Sequence, residues 1–247
     1  MSGQTPIVIG LGTGRCGTVS LAKLLTLQIN TNATHENILL PWKQDMGKFD
    51  VAWRALRNRG VFYKYTCDVA FYWLPYVETI LKKRPDAKFV CLKRCKSLVV
   101  ESYDQKTLGR NHWSLVRDPD CEREDPVWDP CFPKYDSNKR EGIARYWDDY
   151  YAEGDRLAAK YPENFRIFPT EALNDRREVF HILRFCGFKQ SVIPSNLPFE
   201  NNLVHKERRK AVYLRVKEFK SMHKRNTTKQ RARSRGRKRS IRRSRFQ

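Results

Sequence analysis

The residue types best suited to holding an anion gather in one short stretch. Gly10-Leu-Gly-Thr-Gly-Arg-Cys-Gly-Thr18 sets four glycines within eight residues and places an arginine among them. A short apolar run precedes it, and Leu21, Leu24, Leu25 and Gln28 follow at helical spacing, so it reads as a turn from strand to helix. Backbone N–H groups at such a turn, with the helix N-terminus, form a cradle for a phosphate. The alternative is a tight turn with nothing bound, but four glycines weaken a fold that gains nothing from them. Three phosphate ligands compete. Gly12-x-Gly14-x-x-Gly17 fits the dinucleotide fingerprint, with Glu36 standing roughly where a ribose-binding acid is expected, which would make the chain a Rossmann-type NAD or NADP oxidoreductase. Gly12 to Gly17 also begins a Walker A loop, but Thr18-Val19 replaces the Lys-Ser/Thr that grips a nucleoside triphosphate. Arg15 suggests a third ligand, because it puts a permanent forked cation where a dinucleotide loop is usually neutral.

A second set lies in Phe89-Val-Cys-Leu-Lys-Arg94-Cys-Lys-Ser-Leu-Val-Val-Glu-Ser102-Tyr103. Arg94 is expected at the carboxyl end of a strand, where parallel sheets bind ligands. Ser102 is expected two turns into the next helix, on a face that can turn back toward Arg94. An arginine and a hydroxyl converging this way hold a phosphate dianion; otherwise they are a surface arginine and an ordinary helix serine. A third set is His35 and Glu36, which follow a second strand and face the same crevice. Either is a candidate general base for an acceptor hydroxyl or amine, and histidine titrates near neutrality without help. Glu36 has two other readings: a ribose ligand, or a first-turn helix residue behind a Thr34 cap. His112, in a long loop, either approaches the acceptor or, as the favoured reading, is a surface histidine. Five scattered histidines and a Cys91/Cys95 pair straddling a strand end make no metal-ligand cluster, so no metal is expected. No cysteine is followed by five residues and an arginine, which argues against a phosphatase-type thiolate.

These segments resemble sulfotransferases. Gly14-Arg-Cys-Gly-Thr18 is similar to that family's 5′-phosphosulfate loop (Lys or Arg, Ser, Gly, Thr, Thr): Arg15, Gly17 and Thr18 match, while Cys16 and Val19 depart. The family binds its nucleotide's 3′-phosphate with an arginine after the later strand and a serine eight residues on, which is the spacing of Arg94 and Ser102. Phe168-Pro-Thr-Glu171-Ala-Leu173 resembles the family's Tyr-Glu-Asp-Leu element, with Thr170 in place of the tyrosine that can meet adenine. The family's late Gly-x-x-Gly-x-Trp-Lys segment has no counterpart; Lys206, Arg208 or the basic tail are what the chain offers instead. The resemblance implies 3′-phosphoadenosine 5′-phosphosulfate as co-substrate, with no metal. It implies that Gly12, Thr13, Gly14, Arg15, Cys16, Gly17, Thr18, Arg94 and Ser102 bind it. It further implies in-line transfer of the sulfuryl group to a hydroxyl or amine, with Arg15 and Glu36 catalytic and His35 the second choice of base. A dinucleotide dehydrogenase predicts neither phosphate set, so that reading ranks second.

The elements that must position these residues read as alternating strands and helices. Strands are expected at Pro6 to Gly10, before Glu36, at Val61 to Tyr65, Lys88 to Leu92 and Phe165 to Phe168. Helices are expected after the glycine loop, at Phe71 to Lys82, Ser97 to about Thr107, Arg140 to Lys160, and Arg176 to Cys186 with Gly187 as its cap. Alternation of this kind argues for an α/β fold, a three-layer sandwich around a central parallel sheet with a P-loop-like nucleotide loop. Leu108 to Asn138 has no period and is too long for a simple connector, so residues 108–138 are expected to be a lid or substrate loop. Its Trp113, Trp128, Phe132 and Tyr135 either stack on an acceptor or form the loop's own small core.

The chain has 247 residues and a formal net charge of +22. From Lys206 to Gln247 it carries 19 Lys+Arg against 2 Asp+Glu, so most of the charge sits in the last forty-odd residues. The domain is therefore expected at 1–205, with 206–247 a basic and largely disordered tail. Such a tail suits nonspecific nucleic acid or another polyanion, so a nucleic-acid-binding protein acting through its tail is a further alternative. No segment reads as a signal peptide or membrane span. Seven cysteines without regular spacing point to reduced thiols and a cytoplasmic protein, with a Cys121–Cys131 bridge the one pairing to consider.

Overall fold

The computed structural model describes residues 5–107, 109–115 and 125–195. The chain divides into units Met1–Phe199 and Glu200–Gln247; the second lies outside the described residues, and with it every expectation about the tail. The first unit runs β1 (Ile7–Leu11), α1 (Thr18–Thr26), β2 (Thr31–His35), α2 (Met46–Arg59), β3 (Tyr65–Val69), a 3₁₀ turn (Phe71–Tyr76), α3 (Val77–Lys83), β4 (Lys88–Lys93), α4 (Lys96–Lys106), α5 (Lys139–Lys160), β5 (Phe165–Pro169) and α6 (Arg176–Phe185). The five strands form one parallel sheet in the order β2-β3-β1-β4-β5.

Strand alternation builds a core on each face of this sheet. Ile7, Ile9, Leu11, Phe89 and Cys91 pack with α2, α3, α4 and α5. Val8, Val69, Val90 and Leu92 pack with α1 and α6. The result is the three-layer α/β sandwich that the alternating elements imply. Leu21, Leu24 and Leu25 of α1 are wholly buried, and truncating any of them to alanine would cost about 2–5 kcal/mol.

Three elements differ from expectation. The strand expected at Val61 to Tyr65 begins only at Tyr65. The N–H groups of Val61 and Phe62 donate to the carbonyls of Asn58 and Arg59, prolonging the turn that ends α2, and both side chains are left exposed. Local β-propensity loses there to the helix end. The helix expected from Phe71 to Lys82 divides, because Pro75 cannot donate to an α-helical ladder; a 3₁₀ turn precedes α3. Helix α2 is absent from the sequence reading. Its signals are an Asp45 cap, whose side chain accepts from the Lys48 N–H, and a Phe49, Ala52, Trp53, Leu56 stripe.

The described residues of the long loop contribute to the core. Trp113, Phe132 and Tyr135 are buried in the larger cluster, and Trp128 packs against it. His112 is not a surface residue: it is 5% exposed, lies face-on to Phe132, and its Nδ1 is 2.6 Å from Asp129 Oδ1. Cys131 is buried and free, whereas Cys121 lies outside the described residues.

Candidate active site

Parallel pairing brings the carboxyl ends of all five strands to one edge of the sheet, and the predicted residues cluster there. The loop between β1 and α1 turns on left-handed glycines, Gly12 at φ 136°, Gly14 at φ 82° and Gly17 at φ 90°. A Cβ on Gly14 would sit 2.0 Å from the Tyr103 hydroxyl, so the chain itself demands glycine there. Gly17 caps α1 without any side-chain hydrogen bond to the helix's first amides. Those amides point where an anion would lie.

Arg15 is the hub. It holds φ 57°, a conformation unfavourable for arginine. Its Nε donates to Ser102 Oγ at 2.9 Å, and its carbonyl accepts from Arg94 Nη1 at 2.9 Å. The structure thus unites Arg15, Arg94 and Ser102, but with Ser102 turned to Arg15. On the opposite flank, His35 Nε2 lies 3.2 Å from Thr18 Oγ1, and His35 Nδ1 lies 3.7 Å from a Glu36 carboxylate oxygen. Glu36 also has a positive φ, 51°, fixed by its N–H donating to the Val69 carbonyl at 3.1 Å. Thr34 lies in β2 and the next helix is capped by Asp45, which removes the helix-cap reading of Glu36. Arg15 and Glu36 are two of only three non-glycine residues with positive φ among those described, the other being Asn30, a type that tolerates it.

The loop's remaining side chains face inward. Thr13 is buried with its hydroxyl donating to the Gly14 carbonyl, and the Cys16 thiol is buried and pushed up to about 11 by loss of water. Each offers a ligand only its backbone. Thr170 donates to the Cys16 carbonyl at 2.8 Å, bracing the loop from the end of β5.

Several groups at this edge escape sequence reasoning. Tyr103 and Tyr146 both donate to the Thr13 carbonyl, at 2.6 and 3.2 Å. The Gly12 N–H donates to the Tyr150 hydroxyl at 2.9 Å. Only the aromatic spacing of α5 hints at this. Asp68 of β3 is buried, accepting from Trp73 at 2.7 Å and from Thr34; burial raises its carboxyl despite those bonds and nearby Arg59. The Tyr72 hydroxyl is buried without a hydrogen-bond partner. Burial and then the charges of Asp68 and Glu36 hold it well above the usual tyrosine range. Burial followed by Glu36 likewise raises Tyr103, and Cys131 to about 11. Glu36 is therefore near enough for its charge to act on Tyr72, Tyr103 and Cys131 together.

Strand order separates the rival nucleotide readings. In the dinucleotide fold β2 adjoins β1, bringing the acidic residue beside the glycine loop. Here β3 lies between them, so β2 is two strand spacings, about 10 Å, from β1. The edge carries a P-loop-like glycine turn with Arg15 and Arg94 beside it, and Thr18-Val19 stands where a Walker loop has its lysine.

Residues 7–165, more than half of the chain, match the family described as sulfotransferase domain, and the chain belongs to that family. It is accordingly a transferase of sulfuryl groups. A search of curated proteins finds no match. Among solved structures, a sulfotransferase from Alicyclobacillus acidocaldarius is 17% identical, with a TM-score of 0.48 over 82% of this chain and 89% of that one. Mouse sulfotransferase SULT7A1 complexed with PAP is 13% identical, with a TM-score of 0.47 over 77% of this chain and 62% of that one. A shikimate kinase from Bacteroides thetaiotaomicron is 11% identical, with a TM-score of 0.39 over 72% of this chain and 94% of that one. No helix among the described residues is long and apolar enough to cross a membrane, and no group of three or more His, Cys, Asp or Glu residues among them is placed to hold a metal ion.

Proposed function

We propose that this protein moves a sulfuryl group from 3′-phosphoadenosine 5′-phosphosulfate to a hydroxyl or amine acceptor, in line and without a metal. The observation that carries the reading is the joining of Arg15, Arg94 and Ser102 at the strand edge, beside the uncapped start of α1. Two permanent cations and a hydroxyl converge there, and a nucleotide phosphorylated at two positions supplies anions for both ends.

The co-substrate supplies a sulfur centre attached to a phosphate leaving group, so transfer needs fixed positive charge where the leaving oxygen gains electrons. Arg15, the backbone amides of Cys16 and Gly17, and Thr18 meet that need at the 5′ end, while Gly14, whose N–H donates to the Gly12 carbonyl at 2.7 Å, tightens the turn. Arg94 and Ser102 hold the 3′-phosphate. Gly12 and Thr13 shape the turn. Glu36 takes the acceptor's proton as its oxygen or nitrogen bonds to sulfur. His35, between Thr18 and Glu36, is the alternative base and orients both neighbours. The domain is assigned to 1–205, and the tail at 206–247, whose charge comes from 19 Lys+Arg, to nonspecific contact with nucleic acid or another polyanion. Six free cysteines lie among the described residues, five of them buried, and they support a reducing, cytoplasmic setting.

Calorimetry tests the reading. Adenosine 3′,5′-bisphosphate is expected to bind at least about tenfold more tightly than 5′-AMP, since a charge-assisted phosphate contact contributes about 1.5–3 kcal/mol. Equal affinity for the two nucleotides would remove the 3′-phosphate site.

A further inference from the structure

The turn carrying Arg94 is held from behind by α5. The Trp147 indole N–H donates to the Arg94 carbonyl at 3.0 Å. Four residues further along α5 and two residues back along the strand, the Tyr151 hydroxyl donates to the Leu92 carbonyl at 2.7 Å, and the two rings pack edge to face at 4.7 Å. Both carbonyls at the exit of β4 are therefore fixed by one helix face.

The same indole manages the charge around Arg94. Lys93, Arg94 and Lys96 place three cations within four residues. The Lys93 and Lys96 ammonium groups lie over the Trp147 ring, 5.5 and 5.9 Å from its centroid. Lys93 also pairs with Asp155 at 3.5 Å and Lys96 with Asp148 at 2.5 Å, both on α5. Cation–π attraction and these carboxylates draw the two lysines onto α5. Arg94 instead reaches the glycine loop through its 2.9 Å bond to the Arg15 carbonyl.

We infer that Trp147 is a positioning residue that sets selectivity for the 3′-phosphate, by fixing the Arg94 backbone through its N–H and holding the flanking lysines away. The inference rests on the reading that Arg94 and Ser102 hold that phosphate. Trp147 reaches the loop that would receive the 5′ end only through Arg94, so its direct effect falls on the end of the nucleotide that Arg94 meets.

The experiment is calorimetry of the full-length protein and of Trp147→Phe, each with adenosine 3′,5′-bisphosphate and with 5′-AMP. Phenylalanine keeps a ring against Tyr151 and loses the N–H donor. Trp147→Phe is expected to lose about five- to tenfold in affinity for the bisphosphate, the worth of one neutral hydrogen bond, while 5′-AMP stays within about twofold. An equal loss for both nucleotides, or no loss for either, overturns the inference and leaves the 3′-phosphate reading standing. If the unsubstituted protein itself fails to prefer the bisphosphate, the underlying reading falls first, and this inference with it. Should Trp147→Phe fail to fold by circular dichroism, Trp147→His, which keeps a ring and a donor, is measured instead. Retention of bisphosphate selectivity in Trp147→His, with its loss in Trp147→Leu, then supports the inference; loss in neither overturns it.

Discussion

Arg15 sits at the meeting of two side chains that come from distant parts of the chain, and its backbone is held in an unfavourable conformation to do so. Arg94 completes the arrangement, and its Nη1 bond to the Arg15 carbonyl shows it reaching over the loop. Arg94→Ala is expected to weaken adenosine 3′,5′-bisphosphate binding by about 2–4 kcal/mol while preserving the fold, because the residue lies beyond the end of β4. Normal bisphosphate affinity in the variant would mean that Arg94 does not face the ligand. Glu36 shares the conformational oddity, and its charge acts on buried Tyr103. Glu36→Gln preserves size and hydrogen bonding but cannot take a proton. It should keep nucleotide affinity and lose turnover by about 100-fold or more, measured by single-turnover transfer of labelled sulfuryl group once an acceptor is found by screening. His35→Ala separates the neighbours: full activity in Glu36→Gln beside an inactive His35→Ala would assign the base to His35.

At the scale of elements, the long loop contributes to the core through a titratable pair. Burial holds His112 below its ordinary value despite the Asp129 carboxylate 2.6 Å away, so the folded protein keeps this imidazole neutral and Nδ1–H donates to Asp129. In the unfolded chain the imidazole takes up its proton near the usual value of about 6.5. The unfolded state therefore binds more protons below that pH, and the stability His112 contributes is fully present above about 6.5 and declines as pH falls toward the folded value. Asp129 is also held below its usual range, because His112, the Asp125 backbone and Lys134 outweigh its burial, and its contribution disappears at still lower pH. Thermal midpoints measured from pH 7.5 to pH 5 should fall more steeply for the natural chain than for His112→Gln. Parallel curves would show that the pair does not titrate with unfolding. The element that braces the opposite side of the site is α5, whose tyrosines hold Gly12 and Thr13. That bracing leaves the glycine loop preformed before a ligand arrives.

For the molecule as a whole, a preformed anion site links binding to stability. A ligand that binds only the folded state stabilises it by about 2.7 kcal/mol when present at a hundred times its dissociation constant. For a domain of this size that raises Tm by roughly 5–10 °C. Adenosine 3′,5′-bisphosphate should produce such a shift and NAD should not, since β3 intervenes between the glycine loop and the strand that ends near Glu36. A shift with NAD alone would restore the dinucleotide reading.

The local parts of this protein follow from residue type and near-neighbour pattern. The glycine loop was legible because glycines and an arginine between an apolar strand and a helical repeat have few other uses. The placing of Arg94 at the end of β4 and of Ser102 on α4 was legible from the strand-then-helix pattern, and β4, α4, α5, β5 and α6 from hydrophobic period. Tertiary structure decided the rest, because it depends on residues far apart in the chain. Local β-propensity at Val61 and Phe62 gave way to the end of α2, and Pro75 divided a helix whose apolar pattern runs on. The burial of His112 required partners from the core. Ser102 chose Arg15, 87 positions away, over Arg94, and Tyr150 found Gly12 across 138. No periodicity carries such pairings: they follow from the order in which parallel strands and their crossover helices stack, and that order placed β3 between β1 and β2.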